Sequence, residues 1–354
     1  MTELEIKNYM TEKLRSVVNI PSPSGYTKEV MGWLKAEAEN LGFHTEYTSR
    51  GALIVDVHEG DVKDGGNRLL AAHCDTLGAM VRTIVDDGTL KLVPVGGYMM
   101  ESIEGEYCTV HTRDGRSYTG TILTTEPSVH VFPECRDQKR TDDCMRVRLD
   151  EDVHTKEEVR ALGIEKGDYI SFDPRFVACE SGYIKSRHLD DKASTAVLLT
   201  LLKEIHDGKV NPVGKIRMLF TNFEEVGFGA SYIPEDVTEM LAVDMGAVGD
   251  DLEGDEKKVC IVAKDSAGPY DYDLTTKMIE MAKELGLDYA VDCYRRYSSD
   301  ASAAIRGGHN VRHALIGQGV QASHHMERTH IHGMMQTLKL VEAYVERNTQ
   351  VGIF

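Results

Sequence analysis

The chain has 354 residues, with 58 Asp and Glu against 40 Lys and Arg and a formal charge of −18. That length can bury one large or two medium cores, and 41% hydrophobic with 28% charged residues excludes collagen-like, disordered and disulfide-scaffold classes. The acidic excess argues against a binder of nucleic-acid phosphates, and seven cysteines without a C-x-x-C pair read as reduced thiols of a cytoplasmic protein.

The N-terminal MTELEIKNYMTEKLRS carries Glu3, Glu5 and Lys7 where a signal peptide needs an apolar stretch. No apolar run approaches the ~20 residues that cross a bilayer, so the expectation is a soluble, cytoplasmic chain with no membrane partner. Met10, Leu14 and Val17 fall on one face of a first helix, which PSPSG (21–25) ends as a turn. Val30, Trp33, Leu34, Ala38 and Leu41 predict a second helix. ALIVDV (52–57) and RLLAAH (68–73) follow as apolar strands, as in a covered sheet of an α/β domain. Beyond about residue 79 the pattern turns to β. Asp87-Gly88 and Asp114-Gly115 each stand between alternating runs, a strong hairpin signal, and only 155–162 looks helical up to about residue 178. This stretch predicts a β module inserted into the first domain. The α/β style then resumes with a strand in GYIKSRHL, a helix over 193–206 and strands over 215–223 and 240–244. A helix over 274–285, a strand over 310–316 and a last helix through Met334, Leu338, Val341 and Val345 complete it.

Polar residues that a core would not choose follow five strands: His73 and Asp75, Asp190 and Asp191, Glu224 and Glu225, Asp244, and His324 with His325. In open α/β sheets, sites form beyond the carboxyl ends of strands. Each piece has a bland reading. Asp190-Asp191 could cap the following helix, Glu224-Glu225 could be a solvated loop, and Asp244 a turn former. The joint pattern is what argues for a site. Packed carboxylates repel unless cations neutralise them, and a mixed imidazole and carboxylate set without thiolate suits zinc, cobalt or manganese better than calcium. Two such ions sharing an aspartate form a layout used in metal-assisted hydrolysis. In the doubled Glu224-Glu225, one residue can ligate while its neighbour faces substrate as general base.

Other motifs are weaker. GQGVQA (317–322) matches G-x-G-x-x-A after a strand, but SHHMERTH rather than a helix start follows, which argues against a dinucleotide site. The spacing of His130, Cys135 and Cys144 fits no usual zinc pattern, and His309, His313, His330 and His332 read most simply as surface or outer groups. Arg295 and Arg296 read first as ordinary surface cations and second as readers of an acidic or amide side chain.

Taken in order, PSPSG, AAHCDTLG, HLDDK, FEEVG, AVDMG and SHHMERTH resemble the glutamyl/tetrahedral aminopeptidase family of dinuclear-metal aminopeptidases, over essentially the whole chain. SRHLDDKA, SSDASA and ASHHMERTH look most similar to the subgroup associated with an N-acetylglutaminylglutamine amide osmoprotectant. The resemblance implies an α/β fold with a mixed, helix-covered central sheet of the zinc-aminopeptidase type and an inserted all-β, PDZ-like domain. It implies a catalytic domain over 1–78 and 179–354, with an insert over 79–178 that serves oligomerisation or substrate access. It further implies two divalent ions per subunit (zinc or cobalt, or else manganese), short peptide substrates and a homo-oligomer, often a dodecamer.

Carried over residue by residue, the resemblance makes His73, Asp190, Glu225, Asp244 and His324 metal ligands, with Asp190 bridging, and Glu224 the general base. Asp75 would be an outer carboxylate that orients the His73 ring. Asp191 would be the neighbour of the bridge, whose peptide with Asp190 is often cis in such enzymes. Where the family has a G-T-D stretch near the substrate pocket, this chain has Ser298-Ser299-Asp300, so Ser299, Asp300 and Arg296 are the pocket candidates. The doubled histidine leaves His325 as the alternative to His324. Two rival functions remain at this point: a dinuclear deacylase or carboxypeptidase, and an inactive metal-binding assembly protein.

Overall fold

The computed structural model describes residues 1–349. Helix α1 (Glu3–Val18) starts from a capping box in which Thr2 and Glu5 each satisfy the other's main-chain N–H, and it buries Met10, Leu14 and Val17. Helix α2 (Lys28–Asn40) buries Val30, Leu34 and Ala38, with Trp33 and Leu41 packed half-buried beside them. Strands β1 (His44–Tyr47) and β2 (Leu53–Glu59) pair antiparallel. After the single turn α3 (Val62–Gly65) comes β3 (Asn67–His73), buried at every position.

The next strands are β4 (Gly78–Ile84), β5 (Leu90–Val95), β6 (Tyr107–His111), β7 (Ser117–Thr124) and β8 (Met145–Leu149). After the short helix α4 (Lys156–Ala161), β9 (Tyr169–Phe172) closes a barrel in the order β4-β5-β8-β7-β6-β9. Both Asp-Gly pairs make the predicted hairpin turns, because Gly88 and Gly115 adopt φ +81° and +87°, which favour glycine. The barrel has its own core, including Val81, Leu92, Val110, Ile122, Val147 and Ile170.

The α/β part resumes with β10 (Val177–Ala178), β11 (Tyr183–Ser186), α5 (Leu189–His206), β12 (Lys215–Thr221), β13 (Glu239–Val243), β14 (Gly246–Ala247) and β15 (Val259–Lys264). It ends with α6 (Tyr272–Glu284), β16 (Tyr289–Cys293), α7 (Asp300–Arg306), β17 (Arg312–Val320), β18 (Glu327–His330) and α8 (Ile331–Glu346). The central sheet runs β1-β2-β12-β3-β13-β17-β15-β16 and is mixed: β12, β3, β13 and β17 are parallel, β2 runs against both of its neighbours, and β15 runs against β17 but parallel to β16. Helices α1, α2, α5, α6 and α8 contribute to one large core and α7 to a second, so the central strands are apolar on both sides.

Strand β17 is longer than its predicted 310–316 and absorbs the glycines of GQGVQA. A Cβ at Gly317 would lie 1.9 Å from the Asp244 carbonyl oxygen, and one at Gly319 would lie 2.1 Å from that of Asp255. These glycines permit close backbone approach inside the sheet. No helix among the described residues is long and apolar enough to cross a membrane.

Candidate metal centre

Parallel registration fixes where the polar residues meet. Thr221 at the end of β12 lies opposite His73 at the end of β3, and β13 runs beside β3 in the same direction. The residues after these strands therefore emerge at one edge of the sheet. Glu224 and Glu225 occupy a 3₁₀ turn after β12, Asp244 follows β13, and His324 lies in the turn between β17 and β18. Asp190 and Asp191 stand at the start of α5, joined by a cis peptide bond. Both have non-helical backbone angles, so the regular helix begins after them.

Asp190 sits at the middle. Its Oδ1 is 3.0 Å from His73 Nε2 and its Oδ2 is 3.3 Å from His324 Nε2. His324 Nε2 is also 3.4 Å from Glu225 Oε2, and His73 Nε2 is 3.8 Å from Glu224 Oε2. Two overlapping groups have donor atoms close enough to share an ion: His73 with Asp190 and Glu225, and His73 with Asp191 and Asp244. The structure thus brings His324 into the cluster, whereas His325 is exposed and points its Nδ1 at the Met326 N–H.

The electrostatics mark a cluster short of positive charge. Burial pushes Glu224 and Asp191 well above the carboxylate range, Glu225 up to about 8 and Asp244 to about 7. Burial opposes charge on His73 and His324, yet the facing carboxylates outweigh it: Asp190 and Glu224 hold His73 well above its usual value, and Glu225 with Asp190 raise His324 to about 11. Asp190 itself is lowered despite its burial, by hydrogen bonds from His324 and His73. Asp244 Oδ1 and both carboxylate oxygens of Asp191 are buried with no donor in hydrogen-bonding geometry among the described residues. Oxygens and imidazoles so placed fit divalent cations of the zinc, cobalt or manganese type, which would discharge the repulsion.

Asp75 has a different job from the one expected. His73 Nδ1 meets the main-chain oxygen of Asp75 at 2.9 Å, while the nearest carboxylate oxygen is 3.7 Å away. The carboxylate instead accepts the main-chain N–H groups of Glu224 (3.1 Å) and Glu225 (3.2 Å) and the Ser24 hydroxyl (2.5 Å). The orientation of the imidazole comes from backbone, and the acid holds the glutamate turn.

A cleft of 420 Å³ opens over the cluster, lined by Asp190, Glu224, Glu225, Asp244, Arg296, Tyr297, Ser298 and His324 among others. Arg296 stands exposed on its wall. Ser299 and Asp300 do not line it. Ser299 is fully buried, caps α7 and bonds Tyr270, and Asp300 accepts from Thr221 and from the Ala230 N–H. They support the site from behind, because α7 starts here and turns their side chains inward. A second cleft of 530 Å³, between the barrel strands β6, β7 and β9 and residues 19–21, carries no such ligand set. His309, His330 and His332 bond elsewhere, to Ser231, Ser181 and Asp288 respectively, and the His313 ring packs against that of Tyr270.

Two residues of the site were not singled out from sequence. Glu327 bonds the main chain of Asp190 and of His324. Arg187, 2% exposed, donates to the carbonyls of Ser102 in the barrel and His325. Both lie within quoted motifs, but nothing in a one-dimensional pattern tells an acid that serves backbone from one that faces solvent.

The model of the M42 glutamyl aminopeptidases matches residues 51–340. The chain belongs to that family. Among its relatives, YhfE of Bacillus subtilis (strain 168), itself only provisionally named an aminopeptidase, is 45% identical over 336 residues, 95% of this chain and 96% of that one. Solved aminopeptidase structures share the fold. The aminopeptidase APDkam598 of Desulfurococcus kamchatkensis is 22% identical with a TM-score of 0.85, covering 96% of this chain and 95% of that one. The TET1 peptidase of Pyrococcus horikoshii is 26% identical with a TM-score of 0.83, covering 95% and 99%, and that protein assembles into a tetrahedron or a large octahedral shell. Membership of the M42 family places this chain among the aminopeptidase hydrolases.

Proposed function

We propose that the chain removes N-terminal residues from short peptides with two divalent ions and Glu224 as general base. The observation that carries this reading is the division of Asp190: one oxygen faces His73 and the other faces His324. In this reading Asp190 would be shared between the two ions, with His73 and Asp244 holding one and Glu225 and His324 the other. Asp191, buried beside His73 and Asp244, supports the bridge from behind. Ions held there supply Lewis acidity and lower the pKa of water. Glu224, at the cleft wall, takes the proton of the attacking water on its carboxylate and returns it to the leaving amine. Asp75 keeps Glu224 and Glu225 in their turn, and Arg296 on the cleft wall meets the substrate's side chain.

The catalytic domain is then residues 1–78 and 179–354. Residues 79–178 serve assembly into a homo-oligomer, as the assembly of the TET1 relative suggests, and control access to the cleft. The experiment is a titration of metal-free protein with zinc, cobalt and manganese. It is read by metal analysis and by hydrolysis of paired peptides with free and acetylated N-termini. Metal-dependent cleavage of only the free-amine peptides is expected. Cleavage of the acetylated ones points to a deacylase or carboxypeptidase, and no cleavage across a broad panel to an assembly protein. Native mass measurement tests the oligomer.

A further inference from the structure

Glu327 opens β18 and is 2% exposed. Its carboxylate is divided between two distant parts of the chain. Oε2 accepts the main-chain N–H of Asp190 at 3.0 Å, and Oε1 accepts that of His324, also at 3.0 Å. We propose that Glu327 is a positioning residue of the metal centre, which clamps the backbones of Asp190 and His324 so that their Oδ2 and Nε2, 3.3 Å apart, converge on one ion. The proposal rests on the metal-centre reading above.

Three observations carry it. First, His324 adopts φ +63°, a left-handed conformation that a non-glycine residue holds only when its surroundings enforce it. Glu327 fixes its N–H, and its ring Nδ1 bonds the Gly97 carbonyl of the barrel segment at 2.5 Å, leaving Nε2 to face Asp190 and Glu225. Second, the turn alone needs one acceptor for the His324 N–H, yet the other oxygen reaches across to α5. A glutamine would place an amide NH₂ against one of the two N–H donors, so only a carboxylate satisfies both. Third, the same device recurs on the opposite side of the cluster, where Asp75 accepts the N–H groups of Glu224 and Glu225. Two buried acids thus hold four of the residues around the cleft by their main chain, and the side chains are left free to face the ions.

The test is cobalt(II) titration of metal-free full-length protein, followed by calorimetry and visible absorption. The variants are Glu327→Gln, His324→Ala and the double variant. Wild type is expected to bind two ions, and Glu327→Gln to lose roughly 10–100-fold in affinity for one of them, the usual scale for a lost outer partner. Because Glu327 acts partly through His324 and partly through Asp190, adding Glu327→Gln to His324→Ala is expected to cost less than the two single losses multiplied. Equal binding of both ions by wild type and Glu327→Gln overturns the assignment alone, as do losses that multiply in the double variant. Wild-type protein that binds no cobalt overturns the metal centre itself and this assignment with it. Glu327→Asp, too short to reach both amides, is expected to show the same selective loss and serves if Glu327→Gln does not fold.

Discussion

Asp75 accepts the main-chain N–H of Glu224 at 3.1 Å, although the two residues belong to turns after different strands. Parallel pairing of β3 with β12 makes this possible, because it brings both strand ends to one level. The general-base candidate is therefore fixed by its backbone while its carboxylate stays at the cleft.

Asp75→Ala leaves the Glu224 and Glu225 N–H groups and the Ser24 hydroxyl without their acceptor. Each buried unsatisfied donor costs about 1–3 kcal/mol. The variant is expected to melt several degrees lower and to lose at least about tenfold in kcat. A thermal melt and steady-state kinetics check both, and unchanged kcat would show that the turn holds itself.

Glu224→Gln keeps the size and the main-chain bonds of the residue but removes the proton acceptor. Metal content is expected to stay at the wild-type level while kcat falls by roughly a hundredfold or more, the scale of a lost general base. Metal analysis beside the rate measurement separates this from loss of a ligand. A near-wild-type rate sinks the role.

Arg296 is the one guanidinium among the residues lining the cleft. Arg296→Ala is expected to lower kcat/KM for peptides beginning with Glu or Gln by about tenfold, with little effect on those beginning with Leu. A uniform loss across the panel would assign Arg296 to general binding instead.

Gly317 packs against the Asp244 carbonyl, where a Cβ would lie at 1.9 Å. Backbone lies on both sides of this contact, so it cannot swing away as a side chain would. Gly317→Ala is expected to cost about 1–3 kcal/mol and to weaken metal binding by shifting Asp244. Denaturant unfolding and cobalt affinity measure the two effects. Gly249→Ala is the control, because Gly249 is exposed and a Cβ there meets nothing within 4 Å.

Glu342 of α8 titrates at about 7, raised by burial and by the nearby Glu204 of α5 and Glu346, with Lys339 opposing. The folded state therefore holds a proton that the unfolded chain has released above about pH 4.5. This contribution to stability is full below that pH and is lost as pH rises to about 7. Glu342→Gln removes the pH-dependent loss. It is expected to gain on the order of 1 kcal/mol at pH 8 after allowance for solvent screening, and little at pH 4.5. Melting curves at the two pH values decide it, and an equal shift at both would exclude the charge as its cause.

The residue types at the five strand exits were legible because each violates what a buried strand end would choose, and apolar periodicity located most of the elements that carry them. The hairpins were legible because Asp-Gly is a local signal. Strands β15 and β16 and helix α7 were not, since their short runs carry no distinctive period. That is also why Ser299 and Asp300 read as pocket residues although α7 turns them inward.

The sequence by itself determined which imidazole and carboxylate residues follow the strands, the α/β class with its β insert, and the family resemblance that the match over residues 51–340 bears out. Only the tertiary structure decided which of the two histidines faces Asp190, what Asp75 holds, and that Glu327 joins Asp190 to His324. The reason is physical. Side-chain type and spacing are written along the chain, but a carboxylate accepting main-chain N–H groups leaves no mark on the residues it holds, because every non-proline residue offers the same donor.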